Sequence, residues 1–335
     1  MKAALRERYG PPEVVELRDV DRPVPAEGEI LVRVRAASVN RGDLDGLAPK
    51  PGFVRLFMGL RAPRDPRVGI DVAGIVEAVG PGVSRLKPGD QVMTDMFAAG
   101  HFGSFAEYVC ARETAFETIP AGMSFEEAST LPHGAVLALQ GLRMRRGRTV
   151  KPGDRVLIGG ASGSVGPFAV QIAKSLGAEV TGVCRTEKME MVRKLGADHV
   201  IDYTKVDYAK TGDRYDWIVD TDSHQPILGV RRALRPKGVY LTLGGNTASI
   251  LGGLVVGPLV SLFSDKWTGL MLWWKPFHRP DVVTLKELIA GGKLKPVIDR
   301  VVSLDQVVEA LRAVEDGHVA GKIVISIPDP ASPPA

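Results

Sequence analysis

The sequence predicts an α/β protein in which a doubly wound parallel sheet is joined to a second, β-rich portion. Three observations carry that reading. Between 154 and 245, apolar strand-like runs alternate with amphipathic segments, a pattern that implies right-handed βαβ crossovers. Inside that region, Val156-Leu157-Ile158-Gly159-Gly160-Ala161-Ser162-Gly163-Ser164-Val165-Gly166 reads as a buried strand, a glycine-rich turn and the start of a helix. Ahead of it, short apolar runs broken by Gly and Pro follow one another at the spacing of a small barrel or sandwich.

Taken in order, the β-rich part has strands at 30–34, 72–79, 91–94 and 105–110, with turns such as Lys87-Pro88-Gly89-Asp90 between them. Ser124-Phe125-Glu126-Glu127 is a capping box that opens a helix, and it sets an expected border: a first domain over 1–124 and a second over 125–279. The second has strands at 155–158, 179–183, 199–201, 216–220 and 239–243, with helices at 164–176, 187–195 and 225–234. After it come a helix at 281–290, a strand at 296–302, a capping box at Ser303-Leu304-Asp305-Gln306 and a last strand at 322–327. Residues 328–335 read as a frayed tail.

Composition bounds the function. A chain of 335 residues exceeds one ordinary core and suggests two domains. With 44% hydrophobic and 24% charged residues and a net charge of +4, a globular protein without a nucleic-acid partner is expected. Two cysteines, Cys110 and Cys184, cannot build a disulfide framework or a cysteine-rich metal site. The opening Met1-Lys2-Ala3-Ala4-Leu5-Arg6-Glu7-Arg8 lacks the apolar core of a secretory signal, so a cytoplasmic location is expected. The apolar stretch Ile250 to Phe263 is cut by Gly252, Gly253, Gly257 and Pro258. It is shorter than the roughly 18 to 20 residues of a membrane span and reads as core or subunit interface.

The glycine turn has a chemical reading. Backbone N–H groups at the start of the following helix, with the positive end of its dipole, suit a pyrophosphate. Gly160 permits the tight exit from the strand, Gly163 and Gly166 let the backbone approach the ligand, and Ser162, Ser164 and Val165 complete the turn. The side chains after the second strand choose the dinucleotide, an acid there holding the ribose 2′-hydroxyl of NAD. Here the chain reads Cys184-Arg185-Thr186-Glu187-Lys188. Arg185 and Lys188 suit a 2′-phosphate, and Tyr203 at the end of the third strand can close the same pocket. NADPH is therefore expected over NADH. The run from Arg143 to Arg148 reads as a solvated basic face, and His101 and His133 as ordinary surface or packing histidines.

Several segments together carry a resemblance: Gly69-Ile70-Asp71-Val72-Ala73-Gly74, Gly80-Pro81-Gly82-Val83, Lys87-Pro88-Gly89-Asp90, Gly103-Ser104-Phe105-Ala106-Glu107-Tyr108, the run from Gly196 to Tyr203, and the run from Gly317 to Lys322. In this order they resemble the medium-chain dehydrogenase/reductase superfamily. The resemblance implies a GroES-like N-terminal domain completed by 280–327, and a Rossmann domain between. It assigns Leu243, Gly244 and Lys322 to cofactor binding. Its zinc-dependent members hold the metal on residues this chain replaces: Asn40 stands for the first cysteine and Ile70 for the histidine, so no metal is expected.

What remains is similar to the zinc-independent quinone oxidoreductase branch, related to zeta-crystallin. That branch implies hydride transfer from NADPH to a quinone or other conjugated carbonyl. Asn40 then carries over as a hydrogen-bond donor to the nicotinamide carboxamide or the substrate, with Asp43 shaping its loop. Leu137 replaces a threonine, and Asp45 a tyrosine, of the branch pattern. A binding protein with little catalysis and a zinc-free ketone or alcohol oxidoreductase are the alternatives. The stretch from Trp267 to Trp274 reads as a buried strand or helix near the end of the Rossmann sheet, an edge at which the resemblance to the superfamily implies a homodimer.

Overall fold

A computed structural model describes residues 1–49, 52–143 and 148–328 of the chain. In order, the elements are β1 (Lys2–Leu5), β2 (Glu16–Asp19), β3 (Glu29–Ser38), α1 (Arg41–Leu47), α2 (Arg55–Met58), β4 (Asp71–Val79), β5 (Gln91–Asp95), α3 (Met96–Ala99), β6 (Tyr108–Arg112), β7 (Glu117–Thr118), α4 (Phe125–Ser129) and α5 (Leu131–Gly141). They are followed by β8 (Arg155–Gly159), α6 (Gly166–Ser175), β9 (Glu179–Cys184), α7 (Met189–Lys194), β10 (His199–Asp202), β11 (Tyr215–Asp220), α8 (Ile227–Val230), β12 (Leu234–Thr242), α9 (Thr247–Leu251), α10 (Gly257–Leu262) and β13 (Trp267–Leu270). The chain closes with α11 (Arg279–Ala290), β14 (Ile298–Ser303), α12 (Val307–Glu315) and β15 (Lys322–Ser326).

Two compact units result: Met1–Val136 with Lys275–Glu287 and Ile298–Ala335, and Leu137–Trp274 with Leu288–Val297. The expected border at 124/125 is displaced. Helix α4 packs on β3 and β4, and the His133 N–H donates to Asp71 Oδ1 at 2.8 Å, which holds the start of α5 in the first unit. Likewise Gln171 holds the backbone of Lys295 from both sides, at 2.9 Å each, and keeps that segment in the second unit.

In the first unit a seven-stranded sheet runs β14-β15-β3-β4-β5-β7, with β6 also on β3. The pairing of β15 with β3 is antiparallel, Val324 opposite Ser38, so the last strand of the chain lies against one of its first. The core holds Ile30, Val32, Val72, Phe105, Phe116, Leu311 and Ile323, all buried. The strand expected at 105–110 is shifted to β6. Phe105 gives its backbone to other partners, accepting from Ala4 N–H and donating to Val68 O.

In the second unit six parallel strands run β10-β9-β8-β11-β12-β13, a doubly wound order that reverses direction from its first strand, β8. Val156, Leu157 and Ile158 are fully buried, as a parallel strand covered on both faces requires. The helix expected at 225–234 is shorter, because β12 starts already at Leu234 and carries a left-handed Lys237.

The stretch from Ile250 to Phe263, read as core or interface, is not core. It forms α9, a π-helical turn and α10, and exposes Val255, Leu259, Leu262 and Phe263, the last at 91%. In the expected basic face, residues 144–147 lie outside the described residues. At its edges Arg143 donates to Leu139 O at 3.4 Å and Arg148 to Lys237 O. Of the expected frayed tail, residues 329–335 also lie outside.

Candidate active site

Each unit presents one constellation. In the second, β8 ends at Gly159 and the turn leads into α6, whose N-cap is Val165. Valine has no side-chain acceptor and makes no capping hydrogen bond, so the N–H groups of the first helical turn are left for another acceptor. A Cβ on Gly166 would lie 2.2 Å from Gly160 O, so packing alone demands that glycine. A Cβ on Gly163 would meet only Gly160 O, at an ordinary 3.5 Å. The protein itself does not require Gly163, which leaves a bare backbone beside an uncapped helix start: a cradle that fits a phosphate. Ser162 is buried, while Gly163, Ser164 and Val165 are half-buried.

The loops after β11 and β12 close the same strand ends. Thr221 Oγ1 donates to Gly159 O at 2.9 Å, Leu243 N–H to Asp220 O at 2.9 Å, and Ser223 N–H to Gly244 O at 3.0 Å. Leu243 and Gly244 thus stand at the carboxyl edge of the sheet, where doubly wound folds bind ligands. At the end of β9, Arg185 Nε donates to Tyr203 Oη at 2.7 Å. Two residues far apart in sequence are brought together as expected, with Tyr203 51% exposed. Lys188 is different: it is buried, and Arg185 is the accessible cation of the two. No acidic residue stands at 184–186.

Behind the sheet ends lies a polar cluster that sequence reasoning missed. Asp220 accepts from Tyr240 Oη at 3.3 Å and Tyr208 Oη at 3.5 Å, and Ser223 meets Tyr240 at 2.8 Å. Burial raises Asp220 to about 6, against the hydrogen bonds it accepts.

The constellation of the first unit is centred on Asp71. Its Oδ2 accepts from Ser38 Oγ at 2.9 Å, Asn40 Nδ2 at 3.0 Å and Lys322 Nζ at 3.0 Å. Lys322 also donates to Ser38 Oγ at 3.0 Å and to Asn40 Oδ1. Asn40 gives its other N–H to Ser38 O at 3.2 Å. These four side chains are at most 1% exposed. An ammonium has three donors, and those of Lys322 are taken inside the first unit by Ser38, Asn40 and Asp71. Asn40 has both carboxamide N–H groups engaged, so in this network both residues act as anchors.

Asp43 does shape its loop: its Oδ2 accepts the Asn40 N–H at 2.7 Å, at the start of α1. Its Oδ1 is buried with no partner, and burial raises the carboxyl to about 7. Beside it His133 is not a surface histidine. Its Nδ1 lies 2.9 Å from Asp95 Oδ2, with Asp95 fully buried. Burial opposes the imidazolium, but the hydrogen bond and charge of Asp95 outweigh it and raise His133. Pro132 and Gly134 around this histidine gave no hint of that partner, which comes from the end of β5.

Among the described residues no three His, Cys, Asp or Glu side chains are grouped to hold a metal. At Asn40 the place a cation would take beside Asp71 is filled by the Lys322 ammonium. These residues do not fit zinc. No described helix is long and apolar enough to cross a membrane.

Comparison with known proteins gives this geometry its context. The alcohol dehydrogenase GroES-like domain matches residues 26–121, and the zinc-binding dehydrogenase family matches 195–325. The chain is 32% identical to the chloroplastic quinone-oxidoreductase QR1 of Triphysaria versicolor, over 97% of this chain and 98% of that protein. It is 30% identical to the mitochondrial NAD(P)H oxidoreductase RTN4IP1 of Mus musculus, over 98% and 89%. The solved quinone oxidoreductase of Coxiella burnetii superposes with a TM-score of 0.85 at 28% identity, covering 98% and 99%. With relatives matched end to end, and a parallel dinucleotide-type sheet beside a GroES-like unit, the chain belongs to the medium-chain dehydrogenase/reductase family, as an oxidoreductase akin to its quinone oxidoreductases.

Proposed function

We propose that this protein is an NADPH-dependent, metal-independent reductase of conjugated carbonyls, that is, of quinones or enones. The observation that carries the reading is the pair of phosphate-binding features in the second unit: the uncapped start of α6 beside the unencumbered Gly163, and Arg185 held by Tyr203 at the end of β9. The backbone N–H groups of residues 164–166, beside the bare Gly163, would take the pyrophosphate, and Arg185 with Tyr203 the 2′-phosphate. Bound there, NADPH supplies a hydride that, with one proton from water, saturates an enone or converts a quinone to its hydroquinone.

A homodimer fits the same reading. Strand β13 ends the sheet, and next to it in sequence α9, the π-helical turn and α10 expose a stripe of Leu251, Val255, Leu259 and Leu262 at helical spacing. An unpaired edge beside an apolar stripe is what a second copy would cover.

Following NADPH and NADH oxidation with a quinone, an enone and a simple ketone tests the proposal. Turnover of the conjugated acceptors with NADPH preferred is expected, and Arg185→Ala should lower kcat/KM for NADPH roughly 10- to 100-fold, the scale of one or two lost charged hydrogen bonds. Preference for NADH would refute the cofactor assignment. Tight NADPH binding without turnover of any acceptor would leave a binding protein instead.

A further inference from the structure

Arg185 and Tyr203, which meet at 2.7 Å, stand on two different loops. Cys184 and Asp202 are the last paired residues of β9 and β10, and the Tyr203 N–H still reaches Cys184 O at 3.2 Å. Beyond that point each backbone turns on itself. Lys188 N–H donates to Arg185 O at 3.1 Å, closing a 3-10 turn over Thr186–Lys188, and Val206 N–H donates to Asp202 O at 2.9 Å. Holding two long side chains in one arrangement costs conformational entropy. The pair can be ready for a ligand only if the loops beneath it are fixed to each other.

The Asp202 side chain, 7% exposed, joins those loops. Its Oδ2 accepts from the hydroxyl of Thr186, the neighbour of Arg185, and lies 3.4 Å from Lys205 Nζ. Its Oδ1 accepts from Thr204, the neighbour of Tyr203, the N–H at 2.9 Å and Oγ1 at 2.6 Å. A carboxylate has about four acceptor positions, and these contacts occupy them. The hydrogen bonds from Thr186 and Thr204 hold the carboxyl well below its usual range, so it is ionised at neutral pH. With its acceptors taken, it is not free for a ribose hydroxyl, the role of the acid at the end of the second strand in NAD sites. Thr186 in turn spends its one hydroxyl proton on Asp202 and has none to donate to a phosphate.

Charge by itself makes an acid unwelcome here, because a carboxylate repels a nearby phosphate. What Asp202 holds accounts for its presence. We infer that Asp202, acting through Thr186 and Thr204, is the positioning residue of the 2′-phosphate clamp formed by Arg185 and Tyr203, and thereby a determinant of the preference for NADPH over NADH. This assignment rests on the NADPH reading proposed above. Asp202 touches no ligand and works through its neighbours.

Calorimetry of the full chain with 2′,5′-ADP and with 5′-AMP needs no acceptor and reads the 2′-phosphate alone. The wild type is expected to bind 2′,5′-ADP about tenfold or more tightly than 5′-AMP. That ratio should fall roughly 2- to 10-fold in Asp202→Ala and in Thr186→Val, the scale of one lost hydrogen bond, while Thr186→Ser should keep it. The sign separates the explanations. If Asp202 merely repelled the phosphate, or if Thr186 were a phosphate ligand that Asp202 competes for, Asp202→Ala would raise the ratio. A raised or unchanged ratio overturns the positioning role and leaves the NADPH reading standing. Should Asp202→Ala fail to fold, Thr186→Val is repeated in an Arg185→Ala background. A loss that largely vanishes there upholds action through Arg185, and an undiminished loss overturns it. A wild type that binds both nucleotides equally overturns the NADPH reading and this assignment with it.

Discussion

Gly163 and Gly166 belong to one turn but are required for different reasons, and substitution separates them. Gly166→Ala places a methyl 2.2 Å from Gly160 O, so the turn must move; a loss of about 1–3 kcal/mol is expected by urea unfolding, the usual scale of overpacking. Gly163→Ala meets no such clash and should leave the unfolding midpoint unchanged while raising KM for NADPH several-fold; an unchanged KM would remove Gly163 from the cradle. Lys322→Met should cost about 3–5 kcal/mol, because it strands Asp71 as a buried charge, and adding Asp71→Asn should recover much of that. The turn was legible in the sequence because strand, glycines and helix start are contiguous. Lys322 was not: its partners Asp71 and Asn40 lie 251 and 282 positions away, so the sequence showed a lysine in a family motif and no reason for its burial.

At the level of elements, strands with unbroken apolar runs, such as β8, and helices with a capping box, such as α4, stand where the pattern put them. Local chemistry decides those. Elements whose bounds depend on distant partners shifted, as β6 did when the backbone of Phe105 was claimed by Ala4 and Val68. The apolar run from 250 to 263 shows a further limit of reading hydropathy: the pattern tells that a surface is apolar but not whether this chain or another covers it. Leu259→Asp with Leu262→Asp adds charge to side chains already 54% and 76% exposed. It should leave the unfolding midpoint within about 0.5 kcal/mol, the range of surface substitutions, and convert a dimer to a monomer in light scattering. A wild type that is monomeric at micromolar concentration would dispose of the interface.

For the molecule as a whole, four buried groups, two carboxyls and a carboxyl–imidazole pair, are shifted in the same direction. Asp43 is raised to about 7 and Asp220 to about 6, and Asp95 and His133 are raised as well. In the unfolded chain the carboxyls return to their ordinary values near 4 and the imidazole near 6.5. Between about pH 4 and 7 these four groups therefore bind more protons in the folded chain than in the unfolded one, and their contribution to stability falls as pH rises. Asp43→Asn keeps the acceptor for the Asn40 N–H and removes one titration, so it should flatten the slope by at most one proton, about 1.4 kcal/mol per pH unit. Denaturation curves at pH 5, 6 and 7 check this, and an unaltered slope would show that Asp43 does not titrate there. The placement of β15 against β3 has a consequence for synthesis. A ribosome delivers Ser38, Asn40 and Asp71 long before Lys322, so the first unit emerges with its central carboxylate uncompensated and a sheet edge open, while the second unit already holds all six of its strands. The enzyme's N-terminal part is thus the last to mature, and the nascent chain is exposed to chaperones and proteases until its final strand is made.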